Sequence, residues 1–113
     1  MKIQKRLDIL LYKEHELWVD QCLQFDISAQ ANTLEDAKYE FQKVFIGQIA
    51  ASIENGIEPL KGIPKAPAIF ARLYEKATEL KSEPFVFELA KRARKEIPRY
   101  QIPSEPMLRL CAA

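Results

Sequence analysis

The stretch YKEHELWVDQCLQFDISAQANTLEDA, residues 12–37, decides the fold, because the hydrophobic period changes inside it. Up to Ala31, apolar and polar residues largely alternate; after Thr33 the apolar residues recur at spacings of three and four. Alternation marks a half-buried strand, and a period near 3.6 marks an amphipathic helix. The same stretch gathers a histidine, a tryptophan, a cysteine and several acids, so it also holds the first candidates for a site.

On the N-terminal side, RLDILLY (6–12) sends Leu7, Ile9 and Leu11 to one face and Asp8, Leu10 and Tyr12 to the other. KEHE (13–16) is polar throughout and reads as a hairpin loop. LWVDQC (17–22) resumes the alternation, with Leu17 and Val19 opposite Trp18, Asp20 and Cys22. FDISAQA (25–31) sends Phe25, Ile27, Ala29 and Ala31 one way. Short polar loops join antiparallel neighbours, so three strands, at about 5–12, 17–22 and 25–31, are expected as a meander with one face on the core.

Thr33 is placed as an N-cap, and Asp36 stands where a capping box sets its acid. Glu35 and Asp36 put negative charge at the positive end of the helix dipole. Leu34, Ala37, Phe41, Val44, Phe45, Gln48, Ile49 and Ile53 then form one wide stripe, and Asn55-Gly56 supplies the stop. The spacing predicts a helix over 33–55, roughly 33 Å long at about 1.5 Å per residue. Ile46 and Ala50 fall outside the stripe and form a second, weaker apolar face. IEPLKGIPKAP (57–67) reads as an ordered loop, and 67–80 returns to helical spacing. FVFELA (85–90) is expected as a strand, although the longer span 83–97 also fits a helix through Phe85, Leu89, Ala93 and Ile97. The result is an α+β fold, β-β-β-α-β: a small antiparallel sheet with a long amphipathic helix on one face and a second, shorter helix. Residues 1–90 form the domain and 91–113 a basic, proline-containing tail of unassigned role, extended or partly disordered from Pro98 on.

Bulk properties bound the function. The chain has 113 residues, 48% hydrophobic and 29% charged, which suits one globular domain. A net charge of +1 gives no global field toward nucleic acid or membrane. The two cysteines, Cys22 and Cys111, are far apart and form no CxxC pair. With no signal core and no apolar run of membrane-spanning length, a cytoplasmic protein is expected.

Candidate chemistry is sparse. His15, the single histidine, has no companion ligand at metal spacing and is expected as an exposed turn residue. Cys22 lacks a nearby base and is expected to be a packed thiol. Asp8, Asp20 and Asp26 would need to converge on one face to hold metals, and are expected as solvated strand acids. No catalytic residue, metal or cofactor is therefore assigned. Trp18 and Tyr12, taken to share the wetter sheet face, are the best binding candidates, with the acids Glu14, Glu16 and Asp20 as a charged rim. The run KRARKEIPR (91–99), with Lys91, Arg92, Arg94, Lys95 and Arg99, is a weaker candidate for phosphate contact. Residues 81–113 carry net +3 and residues 1–80 net −2.

Residues 7–45 resemble the N-terminal domain of the HicB-like antitoxins of bacterial toxin–antitoxin pairs. The second strand of that family reads roughly W-V-A-x-C-L-x-x-D, matched here by Trp18-Val19-Asp20-Gln21-Cys22-Leu23-Gln24-Phe25-Asp26. Its "gxT-x-E-E-A" helix start is matched by Asn32-Thr33-Leu34-Glu35-Asp36-Ala37. The resemblance implies a partial ribonuclease-H-like fold without catalytic carboxylates, a homo-oligomer (dimer or tetramer), and capture of a small RNA-cleaving toxin, HicA. Many members add a C-terminal DNA-binding module, and residues 81–113 offer no helix–tight turn–helix pair to match it. A non-catalytic interaction module, antitoxin or stand-alone relative, is the expected function. The alternative is a nucleic-acid-binding or autoregulatory protein using 91–99.

Overall fold

The computed structural model describes residues 6–79, 95 and 105–111. Delimited among them, besides the helical Lys95, are β1 (Arg6–Glu14), β2 (Leu17–Cys22), β3 (Ser28–Ala31), α1 (Leu34–Glu54), α2 (Ala68–Lys76), β4 (Thr78–Glu79) and β5 (Glu105–Leu110). The fold is α+β, with the long helix on one sheet face and the short helix on the other. The strand expected over 85–90 lies outside the described residues.

The strand order is β3-β2-β1-β5-β4. β1, β2 and β3 form the antiparallel meander. β5 pairs with β1 in parallel, from Arg6↔Glu105 to Leu11↔Leu110, so the sheet is mixed. β5 comes from the segment expected as a tail: its Pro106 lies opposite Leu7 in the middle of the sheet. Proline is tolerated there because β4 pairs only with Leu110 and Arg109 on the far side of β5, among the described residues.

Register fixes the two faces. Leu7, Ile9 and Leu11 share a face with Cys22, Leu108 and Leu110, and α1 covers it with Phe41, Phe45 and Ile49. Leu10 and Val19 are buried on the opposite face, where α2 lies. There the Tyr12 ring stacks on Phe70 at 6.2 Å.

The α1 boundaries follow from its caps. The Thr33 hydroxyl accepts the Asp36 N–H at 3.1 Å. At the other end Gly56 takes φ 68°, its N–H reaches the Ile53 carbonyl, and the Ile57 N–H reaches the Ser52 carbonyl. Those two bonds form a Schellman closure, which needs the left-handed residue that glycine supplies. Within the helix the core stripe is rotated from the expected one: Val44 is 39% exposed, while Ile46 packs against the core. Ile46 thus belongs to the main interface rather than to a second apolar face.

The 57–67 loop is ordered, as its prolines suggested. Leu60 inserts into the core. The Asp26 N–H donates to the Pro64 carbonyl and the Ala66 N–H to the Leu23 carbonyl, tying the loop to the β2–β3 connection.

Candidate functional site: an acidic concavity beside the hairpin

The β1–β2 hairpin closes between Glu14 and Leu17, so its loop is two residues, His15 and Glu16. Tight hairpin turns need positive φ, and His15 adopts φ 58°. Histidine tolerates the left-handed region better than most side chains. It is exposed, with Glu14 and Glu16 on either side.

Beside the hairpin, β3 ends at Ala31 and the chain turns through Asn32 and Thr33 into α1. Leu17, Gln30, Ala31, Asn32, Asp36 and Glu40 there line an open concavity of about 530 Å³. The helix cap places Asp36 and Glu40 four residues apart, on one face of the first two turns. Glu40 pairs with Lys43 at 2.9 Å, whereas Asp36 has no ion pair among the described residues. The concavity therefore carries negative charge around a small apolar patch formed by Leu17 and Ala31.

The five partner-binding candidates do not form one surface. Tyr12 lies opposite Val19 and Trp18 opposite Lys13, so the two aromatics occupy opposite sheet faces. Tyr12 is committed to Phe70 of α2. Trp18 is half-buried, with the Lys13 ammonium 5.8 Å from its ring centroid. Glu14 and Glu16 are exposed at the hairpin tip. Of the basic candidates, Lys95 is helical and exposed, and Lys91, Arg92, Arg94 and Arg99 lie outside the described residues.

Asp20 is the largest departure, since it is buried rather than solvated. It pairs with Leu11 on β1 and Ala29 on β3, on the face covered by α1, and is 1% exposed. Among the described residues its Oδ1 has no hydrogen-bond partner. Burial pushes its pKa up to about 8, against the backbone amides of Asp20 and Ala29, so the carboxyl is mostly neutral at pH 7.

Asp8, on the other face, has the opposite environment. Its carboxylate accepts from Arg6 Nε at 2.8 Å, Gln24 Nε2 at 2.7 Å and the Tyr74 hydroxyl at 3.0 Å. Burial alone would raise its pKa, but these bonds and the Arg6 charge outweigh it and hold the carboxyl below its ordinary value. Tyr74 is 7% exposed, and Arg109 lies over its ring at 4.6 Å and donates to its carbonyl at 3.1 Å. This network seats α2 against β1 and β5.

Asp8 and Asp20 thus point to opposite faces, which keeps Asp8, Asp20 and Asp26 from converging on one metal. Among the described residues, no group of three or more His, Cys, Asp or Glu side chains is placed to hold a metal ion. Cys22 is fully buried, and burial pushes its thiol up to about 11. No helix among them is long and apolar enough to cross a membrane.

Sequence reasoning overlooked Asp36 and Glu40 as site residues. It read Asp36 only as a cap, although a capping acid followed four residues later by another acid marks a negatively charged helix start. No protein-family model matches the chain, and no curated protein or solved structure matches it.

Proposed function

We propose that the protein is a non-catalytic binding module of the HicB-like antitoxin kind, which neutralises a small basic RNA-cleaving toxin by covering its surface. The observation that carries this reading is the acidic concavity of Asp36 and Glu40, next to the exposed Glu14 and Glu16 of the hairpin tip. A ribonuclease that grips RNA presents cations, and complementary charge both steers such a partner and fixes its orientation. Leu17 supplies the apolar contact that desolvated anchors require, with Trp18 next to it in the chain. The β-β-β-α order and the N-cap at Thr33 support the resemblance as well.

Co-expression with a small basic HicA-like toxin tests the reading. The wild-type chain is expected to restore growth and to co-purify with the toxin. Asp36→Lys combined with Glu40→Lys is expected to weaken capture by roughly 100-fold, since like charges placed across an interface cost several kcal/mol. Unchanged capture by the double variant would remove the concavity as the contact. Failure to neutralise any such toxin would remove the function.

The module is further proposed to self-associate as a dimer or tetramer. β3 is an edge strand whose outer side is unpaired among the described residues, and such edges recruit other strands. Light scattering is expected to give a multiple of the chain mass at micromolar concentration; a monomer mass would refute it.

A further inference from the structure

We infer that Asp20 is a proton-controlled latch buried behind the β3 wall of the acidic concavity: its neutral carboxyl lets β3 and the start of α1 close over the sheet, and its ionisation loosens them. The toxin-binding consequence rests on the function proposed above; the latch itself does not.

The geometry carries the inference. Asp20 lies opposite Ala29, and the next two residues of β3, Gln30 and Ala31, form part of the concavity wall. α1 packs on β3 and β2 and brings Asp36 and Glu40 to the same concavity. Asp20 therefore sits beneath the joint between the two walls.

Among the described residues, no compensating charge reaches it. From β1 it meets Leu11, with Ile9 and Lys13 next on that face, and the Lys13 ammonium is drawn out to the Trp18 ring. From β3 it meets Ala29, flanked on that face by Ala31, with no charge. From its own strand, Trp18 and Cys22 share the face, and the Cys22 thiol stays neutral through this range. From α1 the buried ionisable side chain is Lys38, whose ammonium is held by Glu35 at 3.0 Å. Asp36 and Glu40, also on α1, are acids and would oppose a second negative charge. Oδ1 already lacks a partner among the described residues. A full charge on this carboxyl needs water, and water enters most directly by parting β3 and α1 from β2.

The direction of the pH dependence follows. The unfolded chain releases this proton near pH 3.9, whereas the folded chain holds it to about pH 8. Between those limits the folded state binds the extra proton. The unfolding equilibrium constant therefore rises by up to about tenfold per pH unit across that window, then levels off.

Carbon-13 NMR of the aspartate carboxyls in the full chain, with hydrogen exchange at Ala29–Ala31, tests the latch in the free protein. The Asp20 carboxyl is expected to titrate near pH 8. The ratio of exchange at Ala29–Ala31 in wild type to that in Asp20→Asn, at equal pH, should rise from about pH 4 toward that midpoint and level off above it. A midpoint below pH 5, or parallel exchange in the two proteins at every pH, overturns the latch. If Asp20→Asn does not fold, the wild-type titration decides together with wild-type exchange, which at Ala29–Ala31 should rise toward about pH 8 relative to the Ile9–Leu11 amides of the sheet centre and would overturn the latch if it did not. With a toxin present, capture should weaken in wild type as pH rises toward about 8, level off above it, and not change in this way in Asp20→Asn. Absence of any toxin partner strikes the proposed function and leaves the free-protein result to stand or fall by itself.

Discussion

Truncating Phe41 to alanine is expected to lower stability by about 3–5 kcal/mol, the usual cost of removing a large buried aromatic. Phe41 is fully buried, stacks on Phe45 at 6.0 Å and meets the core formed by Leu7, Ile9, Leu11 and Cys22. The Phe45 ring and the strand residues are themselves fully buried, so little can move in to fill the void. A domain of this size holds roughly 5–15 kcal/mol in total, so the variant should keep only part of it. Urea unfolding followed by circular dichroism gives the number, with Val44→Ala as the control. Val44 is 39% exposed on the same helix, and its loss should cost under about 1 kcal/mol. Similar losses in the two variants would mean that α1 does not lie on the sheet as described.

The contrast between Phe41 and Val44 also marks what the sequence could tell. Local chemistry was legible: Thr33 and Gly56 bound α1 through bonds that short segments of chain specify, and alternation located β1 and β2. What pairs with what was not. Tyr12 and Trp18 were grouped together, yet any hairpin loop with an even number of residues puts Tyr12 on the Leu17–Val19 face. Only an odd loop would have brought it beside Trp18, and the loop expected over 13–16 is already even, so the grouping conflicted with that loop rather than with something only the turn could reveal. β5 escaped for a different reason. Its parallel partner β1 is remote in sequence, its own run EPMLRL is broken by Pro106, and no local signal announces a long-range parallel pairing.

Asp20 shows the limit of composition-based priors. An acid in a strand is usually solvated, and that default outweighed the alternation that set Asp20 between Trp18 and Cys22. Cys22 was already expected to be packed, and residues two apart on a strand share a face. The pattern that this strand resembles also carries alanine where Asp20 stands. Both signals pointed inward.

Asp8→Ala is the second large effect, about 2–4 kcal/mol, because three donors converge on one carboxylate and hydrogen bonds to charged groups contribute roughly 1.5–3 kcal/mol each where buried. Arg6 is largely exposed and can rehydrate, and the Tyr74 hydroxyl retains the Met107 carbonyl at 3.1 Å, which keeps the total below a simple sum. Tyr74→Phe removes one donor and should cost about 1 kcal/mol. A loss for Asp8→Ala no larger than that of Tyr74→Phe would refute the convergence. The pH response separates Asp8 from Asp20. The folded state holds Asp8 below its ordinary pKa, so its contribution is present above pH ~3.9 and is lost as pH falls through the folded value. Asp20 acts with the opposite sign, its contribution fading as pH rises toward 8. Asp8→Asn should therefore blunt the acid limb of the stability curve and leave the decline above pH 4 in place. Asp20→Asn should do the reverse. One strand-borne carboxylate on each face then tunes one helix: Asp8 seats α2 in the neutral range, and Asp20 sets how firmly α1 and β3 close over the acidic concavity.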